Sequence, residues 1–143
     1  MQDYFDHEKL GVYQEAIAFV AWWVELSERC SGPARVKDQM DRASTGIPLN
    51  IAEGNGRFSP RDRSHFLQIA RGSALECAAC LDVFVARKSL SPPEIDPGKL
   101  RLRRIVAMLM GLINSVVNRV AEEIAEYQVL AGQDGETDTR SSD

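Results

Sequence analysis

Cysteine, histidine and aromatic residues are scarce in this 143-residue chain, which has three Cys, two His and 7% aromatics. Three cysteines cannot build a disulfide framework. A chain of this length buries about 68–70% of its unfolded surface, so it needs no such staple and no structural metal. Long apolar runs are also lacking. The longest, Ala16 to Val24 and Ile105 to Ile113, are nine residues each, against about 20 for a membrane span. By that criterion a transmembrane protein is excluded and no membrane partner is expected. The start, Met1-Gln2-Asp3-Tyr4-Phe5-Asp6, has no basic segment ahead of an apolar one, so no secretory signal is visible and a cytoplasmic location is expected. Strand-like alternation and internal repeats are absent.

The motifs of common catalysts are missing as well. There is no Gly-rich phosphate loop, no G-x-S-x-G elbow and no H-E-x-x-H. The Glu-x-x-His pairs that build di-iron sites in helical bundles do not occur either. The expectation is a protein that is not an enzyme and carries no cofactor.

What is present describes one soluble domain: 44% hydrophobic and 27% charged residues. Residues 1–131 form that domain in this reading. Residues 132–143 have little to bury and are expected to be a disordered acidic tail. The net charge of −4 hides an uneven distribution: residues 35–104 carry 13 Lys/Arg and 8 Asp/Glu, while the rest carry 4 and 13. The middle is basic and the ends are acidic.

Periodicity divides the chain into four helices, which predicts an all-α, antiparallel up-down bundle. The first, from His7 to about Cys30, carries two apolar stripes side by side: Leu10, Tyr13, Ile17, Val20 and Val24, and Val12, Ala16, Phe19, Trp23 and Leu26. At 100° per residue they span an arc of about 200°, wider than one core needs. The excess predicts self-association, with Val12, Phe19, Trp22 and Trp23 as candidate oligomer contacts. The second helix repeats Val36, Met40, Ala43, Ile47 and Ile51 and contains Pro48, where a kink is expected. Ser59-Pro60 caps and starts the third. Asp96-Pro97 is read as the start of the fourth, which continues to about Leu130 along Leu102, Ile105, Leu109, Leu112, Val116, Val120, Ile124 and Tyr127.

Cys77 and Cys80 form a C-x-x-C about five turns into helix 3. Redox thiols of that spacing sit at a helix N-terminus, where the dipole lowers their pKa, and zinc would need two more ligands. The two read as core residues, with no metal expected. On helix 2, Gln39, Arg42, Asn50 and Glu53 form a polar stripe that serves either as a packing network between helices 2 and 3 or as an assembly surface. Arg57, Arg61 and Arg63 surround the start of helix 3, where free N–H groups and the helix dipole favour anions. Lys99, Arg101, Arg103 and Arg104 cluster near the start of helix 4. Together these seven are the candidate contacts for a phosphate backbone, unless neighbouring acids neutralise them.

The stretch from Asp41 to Arg57, with its core Ile47-Pro48-Leu49-Asn50-Ile51-Ala52-Glu53-Gly54, and the stretch from Phe66 to Glu76 resemble the four helix bundle protein family. This is the 23S rRNA-intervening sequence protein family, whose members were first noticed as products of intervening sequences in large-subunit rRNA genes. Leu10 to Ala16 and Met108 to Asn114 fit too, and Gly46 stands where the family more often shows Ser. The resemblance implies a ring-shaped homopentamer without enzymatic activity. Related accessory proteins of diversity-generating retroelements look like basic rings that bind nucleic acid. The expected function is a non-enzymatic homo-oligomer that binds RNA or DNA through the seven basic residues. The alternative is a protein-interaction scaffold or small-ligand carrier using the polar stripe.

Overall fold

The computed structural model describes residues 2–137. A 3-10 turn at Asp6–Lys9 leads into four helices: α1 (Gly11–Ser27), α2 (Ala34–Asn55), α3 (Pro60–Ala86) and α4 (Pro92–Thr137). Among the described residues there is no strand, as the sequence predicts.

Local chemistry sets each boundary. The Glu8 carboxylate accepts the backbone N–H groups of Tyr4 and Phe5, both at 2.6 Å, and these bonds hold its pKa below the usual carboxylate range. They fix the turn that precedes α1, so the helix begins at Gly11 rather than at His7. Lys37 Nζ donates to the Cys30 carbonyl at 3.2 Å, tying the α1–α2 connection to the first turn of α2. At α3, the Ser59 hydroxyl accepts the Asp62 N–H, with Pro60 at the first helical position. Lys88 then takes a left-handed φ of 61°, and the N–H groups of Lys88 and Ser89 donate back to the carbonyls of Val85 and Phe84. This is a Schellman ending with Lys where Gly is commoner.

α4 starts four residues before the predicted Asp96. Ser91 and Glu94 cap each other there: Glu94 Oε1 accepts both the N–H and the hydroxyl of Ser91 at 2.9 Å, and the Glu94 N–H points back at Ser91 Oγ. The reciprocal cap outcompetes the Asp96-Pro97 start, and Pro97 lies inside the helix. At the other end α4 is helical through Thr137, so residues 132–137 of the expected disordered tail belong to a helix. Residues 138–143 lie outside the described residues.

The core is assembled from Val12, Ala16, Phe19, Trp23 and Leu26 of α1, Met40, Ile47 and Ile51 of α2, Ala74, Cys77, Leu81 and Phe84 of α3, and Leu102, Ile105 and Leu109 of α4. α2 runs unbroken through Pro48, whose ring is buried. Small residues let α2 and α3 approach. A Cβ on Gly46 would come within 3.0 Å of Ser73 Oγ, and one on Gly54 within 3.1 Å of Phe66 Cβ.

The two stripes of α1 take places that correct the predicted oligomer contacts. Val12, Phe19 and Trp23 are buried in the chain's own core, and Trp22 packs partly buried against it. The outward stripe is the other one, with Ile17 and Val24 exposed. Aromatic area decides this: enclosing Phe19 and Trp23 removes far more apolar surface from water than enclosing Ile17 and Val24.

The six-membered ring of Trp22 occupies the space that a Cβ on Gly98 would need, so α1 and α4 touch there through a bare backbone. Gly98→Ala must displace that indole. It is expected to lower stability by about 1–3 kcal/mol in urea denaturation, despite the better helix propensity of Ala. An unchanged midpoint would mean that Trp22 is not seated on α4.

No residue of α4 beyond Ile113 is buried among those described, and Val117, Ile124, Tyr127, Val129 and Leu130 are exposed. The helix therefore leaves the bundle about 20 residues before its end. Counting only uninterrupted apolar runs understates α4: by length and composition it is apolar enough to cross a membrane, because single polar residues interrupt the run without lowering its average.

Candidate nucleic-acid interface

The α2–α3 turn is held from inside and carries its functional groups outside. Arg57 pairs with Glu53 one helical turn back, and its guanidinium lies 4.8 Å from the centre of the Phe66 ring. The next residue, Phe58, has nothing covering it and is 101% exposed. Arg61, the second residue of α3, is exposed and edges a shallow hollow with Ser64, His65 and Gln68 of α3 and Val116, Val117 and Val120 of α4. Half-buried Arg63 edges a neighbouring hollow that also contains Leu10, Asn55 and Arg119.

The second basic cluster is largely committed to acids. Lys99 Nζ is 2.7 Å from Asp82 and Arg101 Nη1 is 2.9 Å from Glu15, so these cations join α4 to α3 and to α1. Arg103 makes no ion pair among the described residues and edges an apolar groove between α3 and α4, floored by Ala74, Leu75, Ala78, Leu100 and Val106. Arg104 is exposed on α4. The two clusters do not converge. Arg61 faces α4 at Val116 to Val120, whereas Arg103 faces α3 at Ala74 to Ala78. The 14 residues of α4 from Arg103 to Val117 separate them by roughly 20 Å.

The polar stripe of α2 divides into separate contacts. Gln39 Nε2 donates to Glu76 Oε1 of α3 at 3.1 Å, which is the one helix-to-helix bond in the stripe among the described residues. Asn50 Nδ2 donates to the Gly46 carbonyl within α2, and Glu53 is occupied by Arg57. Arg42 sits beside a polar hollow with Arg35, Gln39, Ser73 and Glu76. Cys77 and Cys80 are free and buried in the core, and burial pushes the Cys77 thiol up to about 12. Among the described residues no three His, Cys, Asp or Glu side chains converge on a metal position.

Phe58 is the one aromatic that the sequence interleaves with the basic residues, and its place between Arg57 and Ser59-Pro60, where two helices part, accords with its full exposure. Arg71 Nε is enclosed without a hydrogen-bond partner, and nothing else described explains it.

The chain matches the family model of the 23S rRNA-intervening sequence protein over residues 8–111. No curated protein matches it. Among solved structures it is similar to a protein with unknown function from the S23 ribosomal protein family of Bacteroides thetaiotaomicron, at 19% identity and a TM-score of 0.61. The alignment covers 71% of this chain and 97% of that one, so the shared fold is complete in the relative and this chain has additional length. A family match across most of the chain, together with that shared fold, makes the protein a member of the 23S rRNA-intervening sequence protein family.

Proposed function

We propose that the protein is a non-catalytic, cytoplasmic helical bundle that assembles with copies of itself, as the pentameric ring implied by the family resemblance, and binds single-stranded nucleic acid at the α2–α3 turn. The observation that carries the reading is Phe58, fully exposed between Arg57 and Arg61. A lone exposed apolar side chain is ordinary on a protein surface. An exposed aromatic beside unpaired cations, here Arg61 and Arg63, is a stacking platform beside a phosphate clamp, the combination that single-strand binders use. Arg61 and Arg63, without acid partners among the described residues, supply the charge. RNA is the first ligand to try, since the family is named for intervening sequences of 23S rRNA. One such site is weak, and repeating it around an assembly raises its avidity.

Fluorescence anisotropy of labelled single-stranded RNA and DNA across a salt series tests this. Affinity is expected to fall linearly with salt on a log–log plot. Phe58→Ala should weaken binding about tenfold and leave the slope unchanged, because stacking releases no counterions. Arg61→Ala with Arg63→Ala should flatten the slope by about 1.4, two phosphates at about 0.7 each. If neither strand binds at low salt, the nucleic-acid reading fails and the scaffold reading, on the Gln39 and Arg42 face, takes its place.

A further inference from the structure

We infer that the polar hollow between α2 and α3 is a binding site for a small acidic amino acid, held by Arg35, Gln39, Arg42, Ser73 and Glu76. Arg42 stands 13 residues before the end of α2, about 20 Å of helix from the turn that carries Phe58, so this site does not depend on the nucleic-acid reading. The hollow has a volume of about 440 Å³, within the range of small-molecule sites, and apart from Ala43 its lining is polar. On α2, Arg35, Gln39 and Arg42 follow at spacings of 4 and 3, which puts all three on one face. Ser73 and Glu76, three apart on α3, form the other wall. Neither Arg35 nor Arg42 belongs to any of the three ion pairs among the described residues, and Asp38, at ion-pair spacing from both, joins neither. Glu76 has no cation either: its Oε1 accepts from Gln39 Nε2 at 3.1 Å. Gly46, one turn beyond Arg42, has no side chain to cover the Ser73 hydroxyl, which lies 3.0 Å from where its Cβ would be.

Exposed arginines are ordinarily solvated and nothing more. Here two of them share one concavity with a carboxylate and no ion pair forms between the opposite charges, a spacing that leaves room for a molecule among them. The pattern of charge identifies its class. Two guanidiniums on the α2 wall match two carboxylates, which the guanidinium fork binds in bidentate fashion. The two arginines are rooted about 10 Å apart along α2, so their forks reach the two ends of one short molecule. Glu76 on the α3 wall matches one ammonium. An acidic α-amino acid carries this set, two carboxylates and one ammonium, and the Ser73 hydroxyl and the Gln39 amide add neutral hydrogen-bonding groups. A nucleic-acid backbone does not fit, because it offers no ammonium and Glu76 repels its phosphates. A dicarboxylate without the ammonium meets the same repulsion.

Saturation-transfer difference NMR on the full chain, titrated with L-glutamate at constant ionic strength, tests the site. Two comparators dissect it: glutarate lacks the ammonium, and 4-aminobutanoate lacks one carboxylate. Glutamate is expected to bind saturably and each comparator about fivefold more weakly, the scale of one exposed ion pair. Glu76→Gln, which keeps a hydrogen-bond partner for Gln39, is expected to make glutamate and glutarate equal. Arg35→Gln with Arg42→Gln is expected to abolish saturable binding. Arg35, Arg42 and Glu76 are all exposed, so the fold tolerates these changes, and circular dichroism confirms it for each variant. No saturable binding of glutamate to the wild type would overturn the inference. Equal binding of glutarate and glutamate to the wild type, or a preference that survives Glu76→Gln, would overturn it too. Displacement of glutamate by single-stranded RNA would assign the hollow to a nucleic-acid surface and likewise overturn it, whereas none of the other outcomes bears on binding at Phe58.

Discussion

Trp23→Ala is expected to lower the stability of the bundle by about 3–5 kcal/mol, the range for deleting a fully buried large aromatic. Trp23 is 1% exposed and its ring stacks on Phe84 with centroids 5.4 Å apart, so it joins α1 to α3. Its indole N–H donates to Asp41 Oδ1 at 2.7 Å, which joins α1 to α2 as well. Alanine would leave a cavity at the meeting point of three helices and remove the only group that Asp41 holds across that interface among the described residues. Trp23→Phe separates the two contributions: it keeps a ring against Phe84, loses the hydrogen bond, and is expected to cost about 1 kcal/mol for that bond beyond the lost ring area. Val24→Ala, on the neighbouring exposed stripe, should stay within about 0.5 kcal/mol. Urea denaturation followed by circular dichroism reads all three. If Trp23→Ala and Val24→Ala were equally mild, the placement of α1 in this fold would be mistaken.

The four helices were legible because their apolar periods and the Ser59-Pro60 start are local signals. The face of α1 that turns inward was not, since both stripes are apolar and only the volume available between α2, α3 and α4 decides between them. The start of α4 was misplaced because two local caps compete, and the Ser91–Glu94 pair, with reciprocal bonds, prevails over Asp96-Pro97. At the candidate site the basic residues were legible as types but not as free charges. The Arg57–Glu53 pair is one helical turn and could have been anticipated. The partner of Lys99 is 17 residues away and that of Arg101 is 86 away, distances that only the fold brings together. The apolar stripe at the end of α4 was visible, but period alone cannot distinguish a helix covered by its own chain from one left exposed.

The thiols at Cys77 and Cys80 are expected to be inert in the native protein, with alkylation of Cys77 at pH 8 slowed about a thousandfold relative to the chain in urea. Cys77 is fully enclosed, and loss of hydration raises its pKa from an ordinary 9.0 to about 12, with the neighbouring Cys80 and Glu76 adding to the effect. Cys80 moves in the same direction, chiefly through burial. The reactive species is the thiolate, so a rise of about three pH units removes about three decades of rate before access is considered. The same shift sets the sign of a stability dependence. Below about pH 9 both folded and unfolded chains keep the Cys77 proton, and this thiol makes no difference. Above it the unfolded chain releases the proton while the folded chain retains it until about 12. Stability is therefore present in full below pH 9 and lost as the pH rises, at up to about 1.4 kcal/mol per unit from this group. Cys77→Ala should remove that part of the slope without creating any new one. Rapid labelling of the native protein, or zinc co-purifying with the wild type but not with a Cys77→Ser, Cys80→Ser variant, would return the C-x-x-C to the status of a working site.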